Sequence, residues 1–229
     1  MLRTVSLAAV AIACLAASPA RADKIELTDR MVTLYGAVTN QSVEKAVTRM
    51  LELDAESSDP IWLMIDSFGG SVDAGFVLID TVRGLKSPVY GVVTSKAYSM
   101  GAIIAVFCKK RYIYPHATMM FHEASYGALG EDPSIRSRID FNTKYLDQIH
   151  MEIAKIIKMP LGDYRAKIRD AWWVLAQEAV DARMMDAVAT EVSYRKIDSE
   201  VTEIKKTTTI KQQRSVRPDA KGPSAVDLP

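Results

Sequence analysis

"PIWLMIDSFGGSVDAGFVLIDTV", residues 60–82, decides the architecture. Its first part, Pro60 to Asp66, is a nearly continuous apolar run, the pattern of a strand covered on both faces. Gly69 and Gly70 follow, where backbone can take positive φ without steric cost. Val72, Phe76, Ile79 and Val82 then recur at helical spacing. A doubly covered strand that leads through glycines into a helix is a building unit of an α/β domain with parallel pairing.

Working outward, the same grammar repeats. "PVYGVVTSKAYSMGAIIAVF" (88–107) reads as a buried strand over 88–94 and a helix from Met100. Upstream, "MVTLYGAV" (31–38) is rich in β-branched and aromatic residues and predicts a strand. "NQSVEKAVTRMLEL" (40–53) predicts a helix, with Val43, Ala46, Val47, Met50 and Leu51 on its apolar side and Ser42 as N-cap. Downstream, "KRYIYP" and "ATMMFHE" predict two short strands around Pro115 and His116. A long amphipathic helix is expected over 132–158, opened by Asp132-Pro133 and striped by Ile135, Ile139, Tyr145, Leu146, Ile149 and Ile153. Shorter helices fall on "LGDYRAKIRD" and "AQEAVDARM", and "DAVAT" predicts a closing strand. Part of 196–212 alternates weakly enough to pair at a sheet edge, and the last stretch of about fifteen residues is expected to be disordered.

A chain of 229 residues suffices for one sizeable core. Its net charge of +1 gives no reason to expect nucleic acid or an anionic membrane surface as partner. "MLRTVSLAAVAIACLAASPARADK" has a basic residue, an apolar run and then Ala20-Arg21-Ala22, the layout of a secretory signal peptide with an A-x-A cleavage site. The expected organisation is a signal peptide over 1–22, cleaved near Ala22 on export to the periplasm, a folded domain over 23–192, and a polar extension over 193–229. An uncleaved anchor is the alternative for the leader. Cys14 leaves with it, and Cys108 in "AIIAVFCKK" is then a lone core thiol without a disulfide partner. Cys108 and the three histidines lack metal-ligand spacing, so no metal is expected.

Two places could carry chemistry. Gly69-Gly70 could present backbone N–H groups to developing negative charge, or simply make a tight turn. "AYSMGA" (97–102) puts Ser99 between a strand and a helix, with small residues two places either side. That is a relaxed form of the nucleophile elbow, and equally a setting for a helix N-cap. A nucleophilic serine needs a base, and His116, His122 and His150 are the candidates. His122 ends a strand, whereas His150 falls inside the long helix as a surface or packing residue. Asp170 in "KIRDAWW" is a candidate to orient the base.

Together "LYGAV", "IWLMIDSFGGSVDAGFVLIDTV", "PVYGVVTSKAYSMGAIIA", "RYIYPHATMMFHEASYG" and "AQEAVDARMMDAV" make residues 31–190 resemble the proteolytic subunit of the Clp protease, a serine peptidase family. The resemblance implies a crotonase-like α/β domain of repeated β-β-α units with a protruding handle helix around 132–158. It implies Ser99 as nucleophile, His122 as general base, and Gly70 and Met100 as oxyanion-hole donors. Gly69, Gly70 and Ser71 would bind substrate as an added strand. Asp170 stands one residue further from Glu178-Ala179 than the family pattern and keeps the third role if the loop carries an insertion.

Phe68 replaces the usual proline before the glycines, and Glu123 the usual glutamine after the histidine. The resemblance also implies peptide or unfolded-protein substrates, no cofactor, and a homo-oligomer, ring-like in form. The family's axial-loop segment is short or missing after residue 22. With export, this makes docking of an ATPase unfoldase doubtful and predicts ATP-independent peptidase activity; an ATP-dependent subunit is the alternative. Other readings are a serine–lysine peptidase with Lys96 or Lys86 as base, a crotonase-type acyl-CoA enzyme, and a non-catalytic oligomeric scaffold.

Overall fold

The computed structural model describes residues 22–197, except 126 and 128. The predicted leader and the tail beyond 197, with its expected edge strand and disorder, lie outside the described residues. Tyr194 closes the first of two compact units, and of the second only 195–197 are described.

The chain alternates strands and helices. In order these are β1 (Ala22–Thr28), β2 (Met31–Val38), α1 (Asn40–Glu56), β3 (Ile61–Gly70), α2 (Val72–Gly84), β4 (Val89–Tyr98) and α3 (Met100–Val106). Then follow β5 (Lys110–Ile113), β6 (Thr118–Phe121), α4 (Asp132–Ile156), α5 (Leu161–Ile168), β7 (Trp172–Leu175), α6 (Ala176–Asp181) and β8 (Ala187–Arg195). One sheet runs β1-β8-β5-β4-β3-β2, with β6 added to β4 and β7 to β6. The pairs β2–β3, β3–β4, β4–β5, β4–β6 and β5–β8 are parallel, and β6–β7 is antiparallel.

The apolar run at 61–65 is buried on both sides, for two different reasons. Ile61, Leu63 and Ile65 join the main core with helical residues such as Met50, Leu53, Leu78, Ile79 and Ile104. Trp62 and Met64 point the other way, into a smaller cluster with Ile25 and Leu27 of β1, Val92, and Ala189 of β8. Strand alternation therefore sends every residue of the run to one core or the other.

Both β3 and β4 run past the ends expected from sequence, to Gly70 and Tyr98. Their mutual register shifts midway, from Ile65↔Val93 to Ser67↔Ala97, which inserts extra residues on β4. Such an irregularity bends and twists the strands. β4 changes neighbours at this point, pairing with β5 through Val93 and with β6 from Lys96. Each long strand thus acts as two short strands followed by a helix, the β-β-α unit, and the sheet curls. The glycines belong to the end of β3 rather than to a separate turn.

Smaller differences have local causes. Thr39, not Ser42, is the N-cap of α1. Thr39 Oγ1 accepts from Ser42 N–H at 3.1 Å while Ser42 Oγ accepts from Thr39 N–H at 2.9 Å, a reciprocal capping box with Ser42 at the third helical position. β1 and β7 are strands beyond those that the sequence predicts. β8 extends the expected "DAVAT" strand to Arg195. Among the helical residues of α4, Ile149, His150, Ile153 and Ala154 are buried, all in its C-terminal half.

Candidate active site

Ser99 occupies the one residue between β4 and α3, with φ 53° and ψ −124°. Backbone contacts fix it there. Its N–H donates to the Met120 carbonyl at 2.7 Å, and its carbonyl accepts from Ala102 N–H at 3.0 Å and Ile103 N–H at 3.1 Å. The residue stands at the cap position of α3, yet its side chain makes no capping hydrogen bond. The hydroxyl meets His122 instead: Oγ lies 2.8 Å from Nε2.

His122 follows directly on β6. Because β6 pairs with β4 through Lys96↔Thr118 and Tyr98↔Met120, the two residues just past those strands emerge side by side. The small residues around the serine have a steric reason. A Cβ on Gly69 would sit 2.7 Å from both Ser99 Cβ and the Tyr98 carbonyl, and Gly69 itself has φ +92°. A Cβ on Gly70 (φ +151°) would lie 2.3 Å from the Val38 carbonyl. Gly101 presses against Ser67, whose hydroxyl donates to the Gly36 carbonyl at 2.6 Å and accepts from Gly69 N–H at 3.1 Å. The glycine segment is thereby clamped along the serine turn.

The β3–β4 ladder ends at Ser67↔Ala97, whereas β3 stays paired with β2 through Ala37↔Gly69 and Val38↔Gly70. Past Ser67, the β4-side edge of Gly69-Gly70 is thus left without a strand next to Ser99. Phe68 is 57% exposed and lines a groove with Val38, Asn40, Gly70 and Ser71. Met100 opens α3, so its N–H is one of the groups without an intrahelical acceptor.

Asp170 is not brought to His122. Its Oδ2 accepts from Arg169 Nε at 3.1 Å and Nη2 at 2.7 Å, the side chain is 74% exposed, and Arg169 holds the carboxyl below its ordinary value. The two residues are nonetheless near in register, since Phe121 pairs with Trp172 and each lies just beyond that rung. Ala171 between Asp170 and the strand adopts φ 66°.

The other candidate bases are placed elsewhere. His116 is exposed in the turn between β5 and β6. His150 is a packing residue inside the core rather than a surface one. Lys96 donates to Asp66 at 2.8 Å, a contact that raises its pKa and keeps it charged. Lys86 lies before the start of β4, at the far end of the strand from Ser99 and on the order of 30 Å away. Cys108 is buried just past α3, where desolvation pushes its thiol up to about 12. Among the described residues no group of three or more His, Cys, Asp or Glu could hold a metal ion.

A hydroxyl on a strained strand-to-helix turn, within hydrogen-bond distance of an imidazole, is an arrangement that a serine hydrolase requires. Residues 21–192 match the family described as Clp protease. Similar proteins include the ATP-dependent Clp protease proteolytic subunit 1 of Chlamydia caviae, 31% identical over 173 residues, which cover 72% of this chain and 90% of that one. The corresponding subunit 1 of Chlamydia muridarum is 30% identical over 173 residues (72% and 89%). The ATP-dependent Clp protease proteolytic subunit 2 of Treponema denticola is 29% identical over 171 residues (71% and 83%). The chain belongs to the Clp protease family and is a serine-type endopeptidase.

Proposed function

We propose that this chain hydrolyses peptide bonds in short or unfolded polypeptides through an acyl-enzyme on Ser99, outside the cytoplasm and without ATP. The observation that carries the reading is the 2.8 Å contact between Ser99 Oγ and His122 Nε2. His122 takes the hydroxyl proton as Oγ attacks the carbonyl carbon, then delivers it to the leaving amine. Water repeats the sequence to release the acyl group. The N–H groups of Met100 and Gly70 would stabilise the oxyanion, and an extended substrate would pair along the open edge of Gly69-Gly70, ending at Ser71. Asp170 is a carboxylate two residues from β7 that could hold the second ring nitrogen of His122 once it leaves Arg169.

The extracytoplasmic setting rests on the leader alone. The names of the relatives favour a second reading, a subunit that works with an ATP-driven unfoldase. Treating purified full-length protein with a fluorophosphonate probe and an unfolded protein substrate separates the possibilities. Labelling at Ser99, lost in Ser99→Ala and His122→Ala, with cleavage in the absence of nucleotide, is the expected result. No labelling of assembled protein would favour a non-catalytic scaffold. Labelling with cleavage only when an unfoldase and ATP are supplied would favour the second reading.

A further inference from the structure

His150 is a titratable side chain that the mechanism above leaves unused. Only 3% of it is exposed. Its Nδ1 lies 3.4 Å from the Tyr164 hydroxyl, and its Nε2 has no hydrogen-bond partner although it is buried. Burial lowers its pKa, so the ring is neutral near pH 7 and carries one N–H and one lone pair. The Tyr164 hydroxyl can donate to Nδ1, which leaves the proton on Nε2. That N–H faces Glu123 Oε2 at 3.6 Å, just beyond hydrogen-bond length. The remaining charges near the ring, Asp147 of α4 and Arg165 of α5, are paired with each other.

Glu123 is the residue after His122. We propose that Glu123 and His150 form a latch that positions His122, closing when the buried Nε2–H bonds the Glu123 carboxylate. The inference rests on the peptidase reading and adds two positioning residues to it. A buried unmet donor costs free energy until it finds an acceptor, and a carboxylate makes the bond charge-assisted. The side that moves is set by packing. Ile149, Ile153 and Ala154 anchor this part of α4 in the core, whereas Glu123 is on an exposed segment leaving β6. The helix is therefore the fixed end, and a Glu123 carboxylate bonded to it restrains the backbone directly after His122. The latch ties α4 to the catalytic base.

The test compares side chains that keep the bond with ones that remove it, in full-length protein. Ser99 labelling rate by a fluorophosphonate, and kcat and KM for a fluorogenic peptide, are the readouts. His150→Leu and Glu123→Ala are each expected to lower kcat about tenfold with KM unchanged, the scale of coupling between contacting residues. The double variant should be no slower than either single one. His150→Gln, which keeps an N–H at similar reach, should recover most of the rate. A purely packing histidine would be served as well by leucine as by glutamine. Equal rates for Glu123→Ala and wild type, or losses that multiply in the double variant, would overturn the latch while Ser99 still labels. Failure of wild-type Ser99 to label would overturn the peptidase reading and the latch with it.

Discussion

At φ 53° and ψ −124°, Ser99 occupies backbone space that costs an L-residue on the order of 1–3 kcal/mol. Its side chain offers the helix nothing in return, since no capping bond is made. Ser99→Gly is therefore expected to raise stability by about 1 kcal/mol in urea denaturation while abolishing turnover. Ser99→Ala should lower peptide turnover by about 10⁶-fold if the site acts as a unit; wild-type turnover in that variant would end the assignment. Asp170→Asn separates a triad from a pair. A loss approaching 10⁴-fold, on the order seen when a triad carboxylate is removed, is expected if Asp170 swings to His122; unchanged kcat would leave Ser99 and His122 acting alone. Phe68 is exposed on the groove beside the glycines. Phe68→Ala should reduce the preference for large apolar over small side chains in peptide substrates by roughly tenfold in kcat/KM, measured on paired peptides.

At the level of elements, the clamp between the end of β3 and the serine turn depends on the bareness of Gly69. Gly69→Ala would meet Ser99 Cβ and the Tyr98 carbonyl at 2.7 Å in addition to its positive φ. A destabilised protein with impaired Ser99 labelling is the expected outcome, readable by thermal melting together with the probe.

Much of this was legible. The first halves of β3 and β4 announce themselves because both faces are buried and every residue is apolar. Their second halves carry Asp66, Ser67, Ser95 and Lys96, which answer to the register shift and the site, so the strand signal fades where the strands continue. β7 is no shorter than β5 or β6, but its apolar residues run straight into α6 at Ala176, so no break in the sequence marks it as a separate strand. Ser99 and His122 stand out because their spacing along the chain matches a family pattern, and their side chains meet in the fold. The placement of Asp170 could not be read, since it depends on whether its carboxylate turns to Arg169 or to the histidine.

For the molecule as a whole, acid should be destabilising in a definable way. Burial holds the pKa of His150 below its ordinary 6.5, so the unfolded chain takes up this proton first as pH falls. Its contribution is fully present above that value and is lost progressively below it. Asp54 works in the same direction. The Ser87 N–H donates to it at 2.7 Å and lowers its pKa, a contribution lost as pH falls through the depressed value. Urea midpoints at about pH 7.5 and about pH 5.5 should differ less in His150→Gln than in wild type.

Arg30 secures the opposite side of the fold. It is 4% exposed and donates from Nη2 to the Ser57 carbonyl at 3.2 Å, the Asp59 carbonyl at 3.1 Å and Ser87 Oγ at 3.2 Å. Arg30→Met strands those acceptors and should cost about 2 kcal/mol in the same assay.

The sheet finishes on an edge built from the first strand and the last. β1 pairs with β8, Ser193 Oγ donates to the Ile25 carbonyl at 3.4 Å, and Lys24 meets Glu191 at 3.7 Å. Ile25 and Leu27 cannot reach Ala189, their neighbour in the smaller core, until β8 has been synthesised. β1 can meet Trp62, Met64 and Val92 earlier, but its strand partner arrives only with β8, and non-local closure of this kind is slow. The topology leaves closure of this edge to the last strand of the fold.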